Sequence, residues 1–133
     1  MIETIAHGGV VLAYIARGVA GFPSETTFLT PVECNMQVGH VVYPSGGEIP
    51  RHAHLPVERH LSSGTEVLVI QRGRCEVDVY SEDRRLVATR ELALGDILIS
   101  VSGGHGFRVL EDLVLLEIKQ GPYPGKAAEK EQF

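Results

Sequence analysis

The sequence has no tryptophan, little cysteine and no long hydrophobic run. Its two cysteines, Cys34 and Cys75, are too few for a disulfide scaffold, so a reducing, cytoplasmic compartment is the default expectation. No segment approaches the roughly 18 apolar residues of a membrane helix, and we expect no membrane association. Acidic residues outnumber basic ones, 17 to 12, and the net charge of -5 argues against a nucleic-acid partner.

Short β-like segments, separated by turns rich in glycine and proline, make up most of the chain. The alternation of apolar and polar residues is clearest at 74–80, where Cys75, Val77 and Val79 face one side of the strand and the residues between them face the other. The chain is predicted to be one all-β domain spanning 1–133, with a barrel over about 36–120 and a tail over about 121–133. Residues 126–133 are expected to form a short turn of helix or to stay mobile. The predicted strands are 10–16, 26–30, 36–44, 66–71, 74–80, 86–92, 94–101, 106–112 and 113–119.

Three of the six histidines fall within the ten residues RHAHLPVERH at 51–60: His52, His54 and His60. Histidine is the commonest protein metal ligand and the side chain most easily tuned near neutral pH. On a strand, residues two apart share a face, so His52 and His54 are predicted to point into one cavity.

A carboxylate and a further histidine follow along the chain. Glu66 is the one charge at the start of an otherwise apolar stripe with Leu68 and Ile70, where a carboxylate needs a partner. His105 follows two glycines and shares a strand face with Phe107 and Val109. Three histidines and one carboxylate would suit one divalent transition ion, Fe, Mn, Ni or Zn, more than Ca or Mg.

These residues resemble the two-part metal motif of the cupin superfamily. The first part of that motif matches Gly46, His52, His54, Glu66 and Gly73. The second part resembles Gly95, Asp96, Gly103 and His105. Four departures are visible: eleven residues separate His54 from Glu66 where three or four are usual, the turn before His105 is one residue shorter than usual, and Val101 and Val109 replace a proline and an asparagine.

The resemblance implies a single-domain, cupin-like jelly-roll β-barrel whose metal is held by His52, His54, Glu66 and His105. Glu58 also lies at a family-like distance from His54. We prefer Glu66 because it begins a strand and keeps the family distance to Gly73. The extra residues then form an enlarged loop beside the metal.

A metal-dependent enzyme acting on a small oxygen-rich molecule is the first functional hypothesis, and the resemblance implies an oxygenase, an isomerase or epimerase, or a lyase. Glu66 and His60 are the candidate catalytic groups. The alternative is a non-catalytic module that binds a sugar or small metabolite, and the scarcity of further acid–base groups keeps it open. The candidate pocket residues are Tyr43, Arg59, Leu68, Ile70, Phe107 and Val109.

Structural roles for the same residues also remain open: exposed positions for His52 and His54, a salt bridge of Glu66 with Arg51 or Arg59, and a turn position for His105. A homodimer is expected because Val67 and Val69 point outward from an apolar strand and need cover. A second layer of the same chain would serve equally well.

The metal hypothesis predicts that His52→Ala and His105→Ala each abolish metal uptake while the fold survives. Elemental analysis of untagged protein purified without chelator measures the uptake, and circular dichroism checks the fold. Near one equivalent of metal in the native chain is expected. Full occupancy in both variants would contradict the ligand assignment.

Overall fold

The fold is known from a computed structural model, which describes residues 2–133. Within that range no helix is long and apolar enough to span a membrane. A 3-10 helix, Gly18–Ala20, follows the second strand. The strands are β1 (Ile2–His7), β2 (Val10–Ala16), β3 (Thr27–Phe28), β4 (Gly39–His40), β5 (Glu66–Tyr80), β6 (Leu86–Ala93), β7 (Ile97–Ser100) and β8 (Gly104–Lys119), and the α-helix is α1 (Lys126–Glu129).

Six strands form one antiparallel sheet in the order β1-β2-β7-β5-β6, and β8 pairs with the other edge of β5. The sheet curls until its first and last strands approach, and Glu3 Oε1 of β1 accepts from Arg90 Nε of β6 at 2.7 Å. A separate pair, β3 and β4, is the second sheet. The all-β prediction is confirmed, whereas the strands of residues 2–133 form no closed barrel.

Several predicted strands are confirmed, and four of them prove to be halves of longer ones. The prediction at 10–16 coincides with β2, and that at 86–92 lies within β6. Segments 66–71 and 74–80 are one strand, β5, and segments 106–112 and 113–119 are one strand, β8. The predicted turn of helix in the tail is present as α1.

The chain between β2 and β5 is less regular than predicted. Strand 26–30 shrinks to β3, strand 36–44 shrinks to β4, and the strand expected around His52 and His54 does not form. Residues 43–64 carry no strand at all, and most of them are exposed. The prolines and glycines of this stretch remove ladder donors and favour turns, which outweighs its apolar alternation. Strand β1 was not predicted.

The core lies on both faces of the main sheet. One face buries a large apolar cluster that includes Ile15, Leu68 and Leu98. On the other face Tyr14, Val67 and Ile99 are covered by Leu29, Cys34, Met36 and Val38 of the same chain. The cover that Val67 needs is therefore supplied internally, which removes the reason for expecting a homodimer; the dimer itself stays a prediction.

Asp78 joins three strands. This buried residue of β5 accepts hydrogen bonds from Thr89 Oγ1 of β6 at 2.6 Å and from Arg108 Nη2 of β8 at 3.0 Å. The hydrogen bonds from Arg108 and Thr89 hold the pKa of Asp78 below its ordinary value. The interaction therefore stabilises the fold above the ordinary carboxyl pKa and is lost as pH falls through the lowered one.

Asp96 fastens the turn before β7. Its carboxylate accepts from the backbone N–H groups of Gly18 at 2.9 Å and Ala93 at 3.0 Å, and from Arg17 Nη1 at 2.9 Å. Gly95, at φ 86°, lies so close to Gly18 that a side chain on Gly18 would collide with it. The Gly95-Asp96 pair of the sequence motif thus has a structural role.

Gly73 marks the bend in β5. Its φ is 81°, and the β5–β8 register shifts on either side of it, between residues 70 and 75. A Cβ at Gly73 would lie 2.8 Å from the carbonyl oxygen of Glu111 and would overlap that of Asp112. Only glycine therefore permits the close approach of the two strands at this bend.

Gly73→Ala is expected to destabilise the fold by about 2 kcal/mol or more, because it adds left-handed backbone strain to a backbone clash. Urea unfolding followed by circular dichroism measures the change. Gly106→Ala is the matched control: Gly106 lies on β8, its Cβ would meet no atom within 4 Å, and it has no positive φ. Equal stability of the two variants would refute the role of Gly73.

Candidate functional site

Glu66 and His105 meet on the concave side of the curled sheet. Glu66 Oε2 lies 3.2 Å from His105 Nε2, and Ser100 Oγ lies 3.1 Å from His105 Nδ1. All three groups are satisfied when Nε2 carries the hydrogen and donates to Glu66 while Nδ1 accepts from the Ser100 hydroxyl. The Glu66 side chain is 13% exposed and that of His105 is 24% exposed. The sequence-based expectation that Glu66 needs a partner is met by His105.

The bend of β5 brings these residues together. Glu66 begins β5 and pairs with Ser100 of β7 and Lys119 of β8, whereas His105 pairs with Val79 near the far end of β5. In a straight strand, thirteen residues would separate the two ends by about 40 Å. Because β5 and β8 bend together at Gly73, the two ends of β5 face each other instead.

The Glu66 carboxyl is held in its ionised form. The hydrogen bond from His105 lowers its pKa, which outweighs the opposing effect of burial, and Lys130 and Lys119 add a smaller electrostatic contribution in the same direction. A carboxylate that stays ionised although mostly buried can accept hydrogen bonds from a ligand or coordinate a cation.

A cavity of about 1470 Å³ opens beside this pair. Its lining includes the apolar side chains of Leu68, Phe107 and Leu115 beside Glu66 and His105, together with charged side chains such as Lys119 and Glu131. Apolar surface beside converging polar groups is typical of small-molecule sites.

The predicted residues of the 43–64 stretch lie elsewhere. His52, His54, His60, Tyr43 and Arg59 are all exposed. The His52 and His54 rings meet edge to face at 5.2 Å between centroids, and His52 Nδ1 lies 2.8 Å from the carbonyl oxygen of Pro50. The expectation that they share a strand face directed into the cavity is wrong for this arrangement, because the strand is absent. Glu58 lies in the same exposed stretch, whereas Glu66 begins β5 as expected.

Two predicted pocket residues do not line the cavity. Ile70 is 1% exposed and packs within the apolar core. Val109 is 62% exposed and does not line the cavity. It pairs with Cys75 in the same register in which Phe107 pairs with Val77, so the predicted alternation holds there, but Val109 lies beyond the cavity.

Among residues 2–133 no three His, Cys, Asp or Glu side chains are grouped closely enough to hold a metal ion. The structure brings together two of the four predicted ligands, Glu66 and His105, 3.2 Å apart.

Both cysteines lack the features of nucleophiles. Cys75 is fully buried, and burial raises the pKa of its thiol. Burial also raises the pKa of Cys34, which lies beside Tyr14. Because the thiolate is the reactive form, neither cysteine is activated at neutral pH.

Four other residues at the cavity were not predicted from the sequence. Ser100 ends an apolar run; its pairing with Glu66 places it at the site, where it also contacts His105. Lys119 lies opposite Glu66 on β8, while Tyr80 and Arg84 border the cavity at the β5–β6 turn. Their proximity depends on the curl of the sheet, which no local pattern reveals.

Comparison of the chain with protein-family models, curated proteins and solved structures gives no match. The cupin resemblance therefore depends on the motif residues alone.

His105→Ala is expected to raise the pKa of Glu66, because the carboxylate loses its hydrogen bond and remains largely buried. Carboxyl carbon shifts followed by NMR during a pH titration measure it. Lys119→Gln should raise it less, since Lys119 acts only through charge. An unchanged Glu66 titration in His105→Ala would show that the contact does not exist in solution.

Proposed function

We propose that the cavity binds a small oxygen-rich molecule and that Glu66 and His105 are the polar groups that hold it. The observation that carries this proposal is the 3.2 Å contact between these two side chains in the lining of the cavity, beside the apolar side chains of Leu68 and Phe107. The His105 N–H can donate to a hydroxyl or carbonyl oxygen of the ligand, and the Glu66 carboxylate can accept from a hydroxyl.

The apolar neighbours strengthen both interactions. Leu68 is buried and Phe107 is half-buried, and the Phe107 ring meets the His105 ring edge to face at 5.5 Å between centroids. Exclusion of water by these side chains raises the strength of a hydrogen bond and the cost of leaving one unmade. A ligand with hydroxyl groups on one side and an apolar side is the best match.

The metal-dependent enzyme belongs to the same proposal in its finer form. It requires the 43–64 stretch to pack against the cavity as part of a cupin-like jelly-roll barrel, so that His52 and His54 complete the set begun by Glu66 and His105. An ion held there would supply Lewis-acid chemistry. The 3.2 Å distance between Glu66 and His105 supports this form. It requires His52 and His54, which are exposed, to move to the cavity.

The second candidate is a binding module without metal. It is favoured by the fact that Glu66, His105 and Ser100 already satisfy one another. In this form His52 and His54 remain exposed, and the ligand competes with internal hydrogen bonds.

NMR of the histidine ring protons separates the two forms residue by residue. Addition of Mn²⁺ should broaden the signals of His52, His54 and His105 together if the four-ligand site forms, and Glu66→Gln should abolish the effect. His7, in the β1–β2 hairpin, is the control and should be unaffected at the same Mn²⁺ concentration.

If the protein is a binding module without metal, Mn²⁺ should leave the ring-proton signals of His105 unchanged. A panel of monosaccharides and hydroxy acids should shift those signals more in the native chain than in Glu66→Gln. If neither Mn²⁺ nor any member of the panel perturbs His105, the proposed function is wrong in both forms.

A further inference from the structure

The C-terminal segment, defined here as Tyr123–Phe133, lies along one side of the cavity, and Ala128 to Phe133 contribute to its lining. Lys119 Nζ lies 3.0 Å from Glu129 Oε1 and 4.8 Å from the centre of the Tyr123 ring. The segment therefore begins beside the strand end that carries Lys119, next to Glu66.

Its other end is held at the β5–β6 turn. Arg84 Nη2 lies 2.6 Å from Glu131 Oε2, and the Arg84 guanidinium lies over the Phe133 ring at 5.0 Å. Phe133 also meets the Tyr80 ring edge to face, with 5.1 Å between centroids. The C-terminal segment thus spans the cavity from Lys119 to Arg84.

Carboxylates of the C-terminal segment pair with two cationic side chains that line the cavity, Lys119 of β8 and Arg84 of the β5–β6 turn. Glu129 pairs with Lys119, and Glu131 pairs with Arg84. Two further acids line the cavity: Glu66, which has His105 as its partner, and Glu117. Without the C-terminal segment, Arg84 would lose its carboxylate partner, and Lys119 would keep only the electrostatic influence of Glu66 and Glu117.

From this arrangement we infer that the ligand of the cavity carries two acid groups, which replace the carboxylates of Glu129 and Glu131 on Lys119 and Arg84. The C-terminal segment is then an internal competitor that leaves when the ligand binds. This inference rests on the proposed function, because it names the class of oxygen-rich molecule that the cavity takes: a small dicarboxylate.

The C-terminal segment is held most weakly at its Arg84 end. The Arg84 and Glu131 side chains are 39% and 76% exposed, and exposed ion pairs contribute little to stability, whereas the Lys119 and Glu129 side chains are only 24% and 23% exposed. Helix α1 has only four residues and no side-chain cap. Gly125 precedes it with φ 102° and no close neighbour, so the backbone can pivot there.

Reaction of His105 with diethyl pyrocarbonate, resolved by mass spectrometry, reports whether the cavity is open. Glu129→Gln with Glu131→Gln should accelerate labelling of His105 roughly fivefold, the effect of losing two ion pairs of about 0.5 kcal/mol each. Labelling of His7 should not change. Glu25→Gln with Glu48→Gln removes the same charge from exposed, unpaired positions and should have no effect on His105. Unchanged labelling in the first double variant overturns the inference.

Unbranched dicarboxylates from succinate to suberate then test the ligand class in the Glu129→Gln, Glu131→Gln variant. At least one should slow the labelling of His105, and the monocarboxylate of equal length should not. Adding Arg84→Gln and Lys119→Gln should remove the protection. If no dicarboxylate protects, the inference is wrong; protection by neutral sugars alone would leave the proposed function standing and overturn only the assignment of a dicarboxylate.

Discussion

Strands β5 and β8 are hydrogen-bonded to each other along nearly their whole lengths, and they bend together at Gly73. That shared bend is the constraint on which the site depends. It turns thirteen residues of extended chain back on themselves, so that Glu66 and His105 face each other. Asp78 then locks the far half of the pair to β6 through Thr89 and Arg108.

Two carboxylates show how structural and functional acids differ in this fold. Asp96 accepts from two backbone N–H groups and from Arg17, all of which belong to the fold itself. Glu66 is satisfied by a histidine side chain at the edge of a cavity, which a ligand can reach. Both residues avoid the cost of a buried, unpaired charge, but only Glu66 can exchange its partner.

Alternation of apolar residues along the sequence predicted individual strands, because it reflects interactions between residues close together in the chain. The alternation at 10–16 gave β2, and the choice of Glu66 over Glu58 as the residue that begins a strand is consistent with β5. The sequence also singled out Gly73, although not the bend it permits. Glu66 and His105 were expected to be close only as ligands of a shared metal, because no sequence pattern near Gly73 shows that β5 bends there.

The strand expected around His52 and His54 does not form, because the prolines and glycines at 44–56 disfavour the ladder, whereas the residues between His54 and Glu66 form a loop as expected. The positions of Ser100, Lys119 and Arg84 at the cavity follow from register and curl, which are set by contacts distant in sequence. The role of the C-terminal segment was likewise invisible, since its charged residues find their partners on β8 and on the β5–β6 turn.

The pairing of β5 with β8 also has a consequence for the order of events during synthesis. Strand β5 can form its hairpin with β6 as soon as both have been made, but its other edge has no partner until the chain has been made as far as Lys119. Antiparallel contacts between segments so far apart in sequence form slowly, because the intervening loop must close first. The apolar edge of β5 is therefore exposed during translation, and the cavity is among the last features of the nascent chain to form.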